Sequence, residues 1–293
     1  MRARLDWRCG AGFLLWLTLS NMTFAASDPS TEDPEQTVCG WFKERLAFAA
    51  WSAVAGTPNP QAWRRAHGAA PISFKTRDGR ALAGYKISAK PAPPGAAGHS
   101  GFLLVAQGNA MLADQLLPEL SAFAERGVDV FIYDYRGYGA SEGKPRLQAI
   151  VSDYREIFQA HSASGYERKL LYGISFGGVV MLNIIGRGIQ FDKAVIDSAP
   201  SRVSNLGCPA EYDPVGKLPV DSSPMLIISG QQDTVVRPGD MRELLEMARA
   251  RGAKTTVGEH FAHPFMDADA AIHGQRQKIV QEHLFDCPGF HGP

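Results

Sequence analysis

Two Gly-x-Ser-x-Gly pentapeptides carry the residues best placed for covalent chemistry: Gly139-Ala140-Ser141-Glu142-Gly143 and Gly173-Ile174-Ser175-Phe176-Gly177. The pattern is short, and chance supplies roughly 0.2 matches in a chain of this length and composition. Context separates the two. A nucleophilic serine of this kind needs a strand before it and a helix after it, in a turn too tight for flanking side chains. Leu170-Leu171-Tyr172 precedes Ser175, and Phe176-Gly177-Gly178-Val179-Val180 follows it; Gly178 would let the new helix approach the sheet closely. Ser141 lies between Tyr138-Gly139 and Lys144-Pro145, which favours neither neighbour. Ser175 is therefore the candidate nucleophile, the alternative being a buried turn serine, and Ser141 is read as a loop residue.

A serine hydroxyl needs a base, and the base needs an orienting acid. Asp233 follows the apolar run Met225 to Ser229, in a loop leading into a helix; a helix-capping or turn aspartate is the alternative. Its rival as the acid is Asp197, at the end of the preceding strand. Two histidines follow the last strand. His263 stands directly before Pro264, a favourable first helical residue, so it is the candidate base on a strand-end loop. His260 is the rival and reads as a hydrogen-bonded structural residue. A developing oxyanion would need two N–H donors. Phe176 should supply one, and Asn109 in Gln107-Gly108-Asn109-Ala110 the other.

The elements that must position these residues alternate along the chain. Apolar strands are expected at Phe102 to Ala106, Val128 to Tyr133, Lys169 to Ile174, Ala194 to Asp197, Met225 to Ser229 and Thr255 to Val257. Between and after them, helical patterns run over Met111 to Arg126, Leu147 to His161, Phe176 to Gly186, Asp240 to Arg251 and Pro264 to Leu284. This alternation predicts an α/β domain with a mostly parallel sheet covered on both faces. Ile72 to Thr76 and Ala81 to Ser88 flank Asp78-Gly79, an antiparallel hairpin signal. Val38 to Val54 has a helical pattern, and Pro91 to Ser100 reads as a loop.

The 293 residues are 45% hydrophobic and 20% charged, which excludes a disordered or fibrous chain. Thirty basic and thirty acidic residues balance, so no nucleic-acid partner is expected. Arg2, Arg4 and Arg8 precede an apolar run from Ala11 to Leu19 and small residues at Ala25 and Ala26. That order reads as a signal peptide over residues 1–25, and so as a secreted or periplasmic protein with no stable membrane span after processing. A retained anchor is the alternative, although one needs about 20 apolar residues. Residues 26–70 form an extension with one helix, beginning with a polar linker from Ser27 to Gln36, and 71–293 form the α/β domain. Cys39, Cys208 and Cys287 would remain after processing, allowing one disulfide in three possible pairings. No cysteine or histidine spacing fits zinc, and neither cofactor nor metal is expected.

Taken together, Gln107-Gly108-Asn109-Ala110, the segment Asp134 to Pro145, the Ser175 turn, Gly230-x-x-Asp233 and His263-Pro264-Phe265 resemble the α/β-hydrolase superfamily over about residues 70 to 285. The similarity is to its small-lid serine hydrolases, the Bem46-like and ABHD-like proteins. The resemblance implies an α/β-hydrolase fold with an eight-stranded type of sheet and acyl transfer through an acyl-serine. The order Ser175, Asp233, His263 is the one this superfamily uses. The family often has His where this chain has Gln107, a residue that supports the loop. Phe176 is bulky for its place and would narrow an acyl pocket, and Asp134 and Arg136 read as loop-organising.

The segment where such folds carry a lid spans 200–224 and is too short for a large cap. An open site suits an acyl ester, a thioester or a peptide-like substrate. The expected activity is that of an exported serine esterase. A thioesterase or small peptidase on the same triad is the first alternative, and a non-catalytic hydrolase-shaped binding protein the second. Nothing in the sequence sets the oligomeric state.

Overall fold

Eight strands and six α-helices are formed in the computed structural model, which describes residues 33–90 and 101–285. The strands are β1 (Ala69–Lys75), β2 (Ala81–Ile87), β3 (Gly101–Ala106), β4 (Val128–Tyr133), β5 (Arg168–Ile174), β6 (Lys193–Asp197), β7 (Met225–Gly230) and β8 (Lys254–Gly258). The helices are α1 (Trp41–Ala55), α2 (Leu117–Ala124), α3 (Leu147–Ser162), α4 (Phe176–Ile185), α5 (Pro238–Ala250) and α6 (Ala270–Phe285). The expected signal peptide, the loop from Pro91 to Ser100 and Cys287 lie outside the described residues. Among the described residues, no helix is long and apolar enough to cross a membrane.

The sheet order is β1-β2-β4-β3-β5-β6-β7-β8. From β4 to β8 every neighbouring pair is parallel, whereas β2 runs antiparallel to both β1 and β4. The mixed sheet expected from the alternation and from the Asp78-Gly79 hairpin is therefore present. Its central strands are buried on both faces: Phe102, Leu103, Leu104 and Val105 are all fully enclosed. Side chains alternate across a strand. Accordingly Phe102 and Leu104 join the core beneath α3 and α4, while Leu103 and Val105 join the one beneath α2 and α6. Each such side chain contributes roughly 1.5–3 kcal/mol of burial energy. That two-sided anchoring makes the carboxyl ends of the strands a rigid base for loops.

Two helix boundaries differ from expectation. The final helix begins at Ala270, not Pro264, because the Asp269 carboxylate accepts the N–H groups of Ala271 (2.8 Å) and Ile272 (2.9 Å). An aspartate cap thus outweighs proline as the start signal, and residues 263–269 stay in an irregular loop. The helix expected from Met111 starts as a 3-10 turn at Ala113–Leu116 and becomes α-helical at Leu117, with Pro118 in its first turn.

Arg136 organises the segment after β4. Its guanidinium is almost fully buried and bonds Asp153 of α3 at 2.5 and 2.9 Å, Asp78 of the hairpin turn at 2.5 and 3.0 Å, and Glu35 at 3.3 Å. Paired, forked hydrogen bonds of this kind fix geometry as well as charge.

Candidate active site

Ser175 occupies the turn between β5 and α4 with φ 53° and ψ −115°. A non-glycine residue in this region of backbone space carries strain, of order 1–3 kcal/mol. The turn is clamped from several sides. A Cβ on Gly177 would lie 1.9 Å from the Ala106 carbonyl oxygen, and one on Gly173 would lie 2.7 Å from the Gly177 oxygen. Gly178 packs against Ala199 and Ile196 where a Cβ would come within 2.7 and 2.9 Å. Helix α4 therefore lies against the sheet only because these positions lack side chains. The Ser175 N–H donates to the Asp197 carbonyl at 2.7 Å.

His263 and Asp233 meet across neighbouring loops. The imidazole Nδ1 donates to Asp233 Oδ2 at 2.9 Å, and Asp233 Oδ1 accepts from the N–H groups of Val235 (2.9 Å) and Val236 (2.8 Å). Burial raises the Asp233 pKa. The His263 hydrogen bond and charge, with the Val236 and Val235 N–H groups, outweigh burial and hold the carboxyl below its ordinary 3.8. The two loops are knitted by backbone: Gln232 N–H donates to Phe261 O at 2.9 Å, and a Cβ on Gly230 would stand 2.1 Å from that same carbonyl oxygen. His260, read from sequence as a hydrogen-bonded residue, is instead exposed on the turn after β8. Among the described residues, His263 is hydrogen-bonded to Asp233, and no hydrogen bond joins Ser175 Oγ to the imidazole.

Asp197 takes a different role from the one its strand-end position allowed. It is fully buried and faces Arg276 Nη1 at 3.4 Å, Ser198 Oγ at 3.3 Å and Tyr172 OH at 3.5 Å, with no hydrogen bond to His263. Burial pushes its carboxyl up to about 6 in spite of Arg276. Arg276, also fully buried, bonds the Ala262 carbonyl at 2.5 Å and Asp267 Oδ1 at 3.3 Å, and its guanidinium covers the Phe261 ring at 4.6 Å. Asp267 Oδ1 in turn accepts the Ala262 N–H at 3.0 Å. This buried cluster holds the His263 loop from beneath. Sequence reasoning missed it, although Arg276 interrupts the Ile272–Arg276–Val280 stripe at helical spacing, which is a readable signal.

The loop after β3 approaches the same rim. A Cβ on Gly108 would lie 3.7 Å from Ser175 Cβ, which brings Asn109 to the edge of the serine turn. Gln107 is completely buried; its Nε2 donates to Tyr133 O at 3.0 Å and its Oε1 accepts from Tyr154 OH at 3.2 Å. Tyr135 OH donates to the Gln107 carbonyl at 2.5 Å, and Tyr138 OH to Asn109 Oδ1 at 3.2 Å. Gln107 thus supports this loop in the position where the resemblance has His. Asp134 Oδ1 accepts the Ala113 N–H at 2.7 Å, and burial raises its carboxyl to about 7. Ser141 is part of the same scaffold: it donates to Asp134 O at 2.8 Å and accepts the Ala83 N–H at 2.9 Å.

The segment 200–224, expected from sequence as a lid, is short and irregular, with 3-10 turns at Ser204–Leu206, Ala210–Tyr212 and Pro214–Lys217. A disulfide joins Cys39, just before α1, to Cys208 of this region. Of the three pairings the sequence left open, this one ties the segment before α1 to the segment 200–224. Phe48 of α1 and Tyr135 pack edge-on against the Phe176 ring at 5.5 and 5.4 Å.

Comparison with solved structures bears on the architecture. The Pyrococcus furiosus esterase Pf2001 aligns with a TM-score of 0.60 at 16% identity, covering 78% of this chain and 96% of that one. A lidless α/β serine hydrolase from Xanthomonas campestris aligns with a TM-score of 0.54 at 18% identity, covering 74% and 91%. The chain has the α/β-hydrolase fold. Within this hydrolase fold, residues 98–218 match the family described as serine aminopeptidase, S33, a span that includes Ser175 and ends before Asp233 and His263. The uncharacterized protein YfhR of Escherichia coli K12 is 27% identical over 233 residues, which is 73% of this chain and 78% of that protein.

Proposed function

We propose that the protein is a serine hydrolase that cleaves carboxylic esters, with Ser175 as nucleophile, His263 as base and Asp233 as orienting acid. One observation carries this reading: a strained serine at a strand-to-helix turn shares a strand-end rim with a hydrogen-bonded imidazole–carboxylate pair. Serine and imidazole often tighten into contact only when substrate is bound.

In the first step His263 Nε2 takes the Ser175 Oγ proton as the oxygen attacks the ester carbonyl. The N–H groups of Phe176 and Asn109 receive the developing oxyanion, and losing one such donor typically costs about 10²–10³ in turnover. Asp233 keeps the Nδ1 proton in place, so that Nε2 is the free base, and stabilises the imidazolium that forms. That imidazolium then protonates the leaving alkoxide. Water, losing a proton to His263, attacks the acyl-serine, and the imidazolium returns that proton to Ser175 Oγ as the acid is released.

The esterases among the structural neighbours support ester cleavage. The S33 match favours a second reading, in which the same triad cleaves peptide amides. Placement among the Bem46-like small-lid hydrolases belongs to this proposal as well. So does export, which the leader pattern and a Cys39–Cys208 disulfide support, since such bonds persist in oxidising compartments. Purified protein is assayed on nitrophenyl esters, acyl-thioesters and aminoacyl amides. Ser175→Ala is expected to lower ester kcat by about 10⁴–10⁶ with the fold retained. Amides turned over faster than esters would favour the peptidase reading, and a Ser175→Ala variant with wild-type activity would reject the triad.

A further inference from the structure

A cavity of about 120 Å³ lies between α1 and the lid, and its wall includes Phe48, Trp51, Leu147, Phe176, Val203 and Leu206. We propose that this cavity is the acyl subsite and that it selects short acyl groups of about four to six carbons. The inference rests on the serine hydrolase reading and deepens it.

The position follows from the oxyanion geometry. If the carbonyl oxygen of a bound ester sits at the Phe176 N–H while its carbon meets Ser175 Oγ, the acyl chain must leave within a few ångströms of residue 176. Adjacent Cα atoms are only about 3.8 Å apart. Phe176 belongs to both places, with its backbone at the serine turn and its ring in the cavity wall. That ring is held edge-on by Phe48 and Tyr135, so it forms a fixed side wall of the cavity. Of the two charged residues in the lining, Lys43 is exposed to solvent, and Glu44 accepts from the N–H groups of Val38, Cys39 and Leu147 at 2.5, 2.7 and 2.9 Å, leaving a mainly apolar interior for hydrocarbon.

The size limit follows from the volume. A cavity of roughly 150 Å³ accommodates benzene, so one slightly smaller holds a chain of about four to six carbons. Both walls are fixed relative to each other: Cys39 and Cys208 lie in the lining and are joined by the disulfide. The subsite is thus built by the N-terminal extension and the lid together.

The test is a series of nitrophenyl esters from acetate through butyrate and hexanoate to decanoate. Each buried methylene contributes roughly fourfold to kcat/KM. The wild type is therefore expected to rise about 15-fold from acetate to butyrate, then level off and fall by decanoate. Ala47→Phe places a ring in the cavity; it should cut hexanoate kcat/KM at least tenfold more than it cuts acetate. Leu206→Trp changes an exposed position at the mouth, 65% accessible, where folding tolerates the exchange, and should cut hexanoate in the same sense. Trp51→Ala should shift the optimum to longer chains. A flat wild-type profile, or variants that lower acetate and hexanoate equally while unfolding like the wild type, would overturn the subsite. Acetate hydrolysis that depends on Ser175 would sustain the hydrolase reading even then, so the two can fail separately.

Discussion

Replacing Arg276 with Met tests whether the buried cluster beneath the His263 loop holds that loop in place. The substitution keeps the volume near that of the original and removes the guanidinium. Three groups lose their contact with the guanidinium: Asp197 Oδ1 at 3.4 Å, Asp267 Oδ1 at 3.3 Å and the Ala262 carbonyl at 2.5 Å. Breaking a buried ion pair from one side costs about 3–5 kcal/mol, because the remaining charge is left without compensation. For a domain of this size that corresponds to a fall in Tm of roughly 6–20 °C. The pH dependence gives the cluster its signature. Burial already raises the Asp197 carboxyl to about 6, with Arg276 the largest influence lowering it, so the variant's Asp197 titrates higher still. A carboxyl raised in the folded state favours folding while protonated, and that contribution is lost as pH rises from about 4 through the folded value. The loss extends to higher pH in the variant. Its Tm deficit should therefore be largest at pH 8 and shrink as pH falls to 5. Ester kcat should drop about 10–100-fold, since displacing a catalytic group by about 1 Å has effects of that order. Thermal unfolding at four pH values, with ester turnover beside it, reads both. A deficit that stays constant or grows toward pH 5, or a kcat within twofold of wild type, would refute the reasoning.

Ser141→Ala should leave kcat within twofold, since Ser141 is a scaffold residue. It should still cost about 1–3 kcal/mol in denaturant unfolding, because the Ala83 N–H loses its buried acceptor. Replacing Cys39 and Cys208 together by Ser opens a cross-link spanning 169 residues. Chain entropy gives about 5 kcal/mol for a loop of that length, so a loss of about 2–5 kcal/mol is expected, with a weakened preference among acyl chain lengths. His161, stacked on Phe131 at 3.8 Å and bonded to Tyr133 OH at 3.1 Å, is pushed down to about 4, mainly by burial. Its neutral form stabilises the fold above pH 6.5, and that contribution is lost as pH falls toward 4. His161→Phe should thus be slightly less stable than wild type at pH 8, with the difference closing or reversing by pH 4.5.

Much of this architecture is legible in the chain because the signals are local. Continuous apolar runs such as Phe102 to Ala106 leave little choice but a doubly covered strand. The glycines around Ser175 mark a turn where backbones touch, and context alone separated it from the motif at Ser141. The His263–Asp233 partnership followed from strand-end positions. What escaped the reading depends on long-range packing. The Pro264 signal lost to the Asp269 cap, and Asp197 differs from Asp233 only because a guanidinium from α6 reaches it across 79 residues of chain. Nothing near Cys39 or Cys208 announces their pairing, which arises from α1 folding back beside the lid. His260 and His263 are three residues apart, yet only one turns inward, a distinction set by the Phe261 carbonyl wedged against Gly230.

The central claim is that Ser175 is the residue activated by the His263–Asp233 pair, and covalent labelling tests it most directly. The native protein is treated with a fluorophosphonate, digested, and the modified peptide mapped by mass spectrometry. One adduct on the Ser175 hydroxyl is expected, and it should be lost in His263→Ala but retained in His260→Ala. A folded protein that takes up no probe, or one labelled at another serine with Ser175 unmodified, would contradict the account.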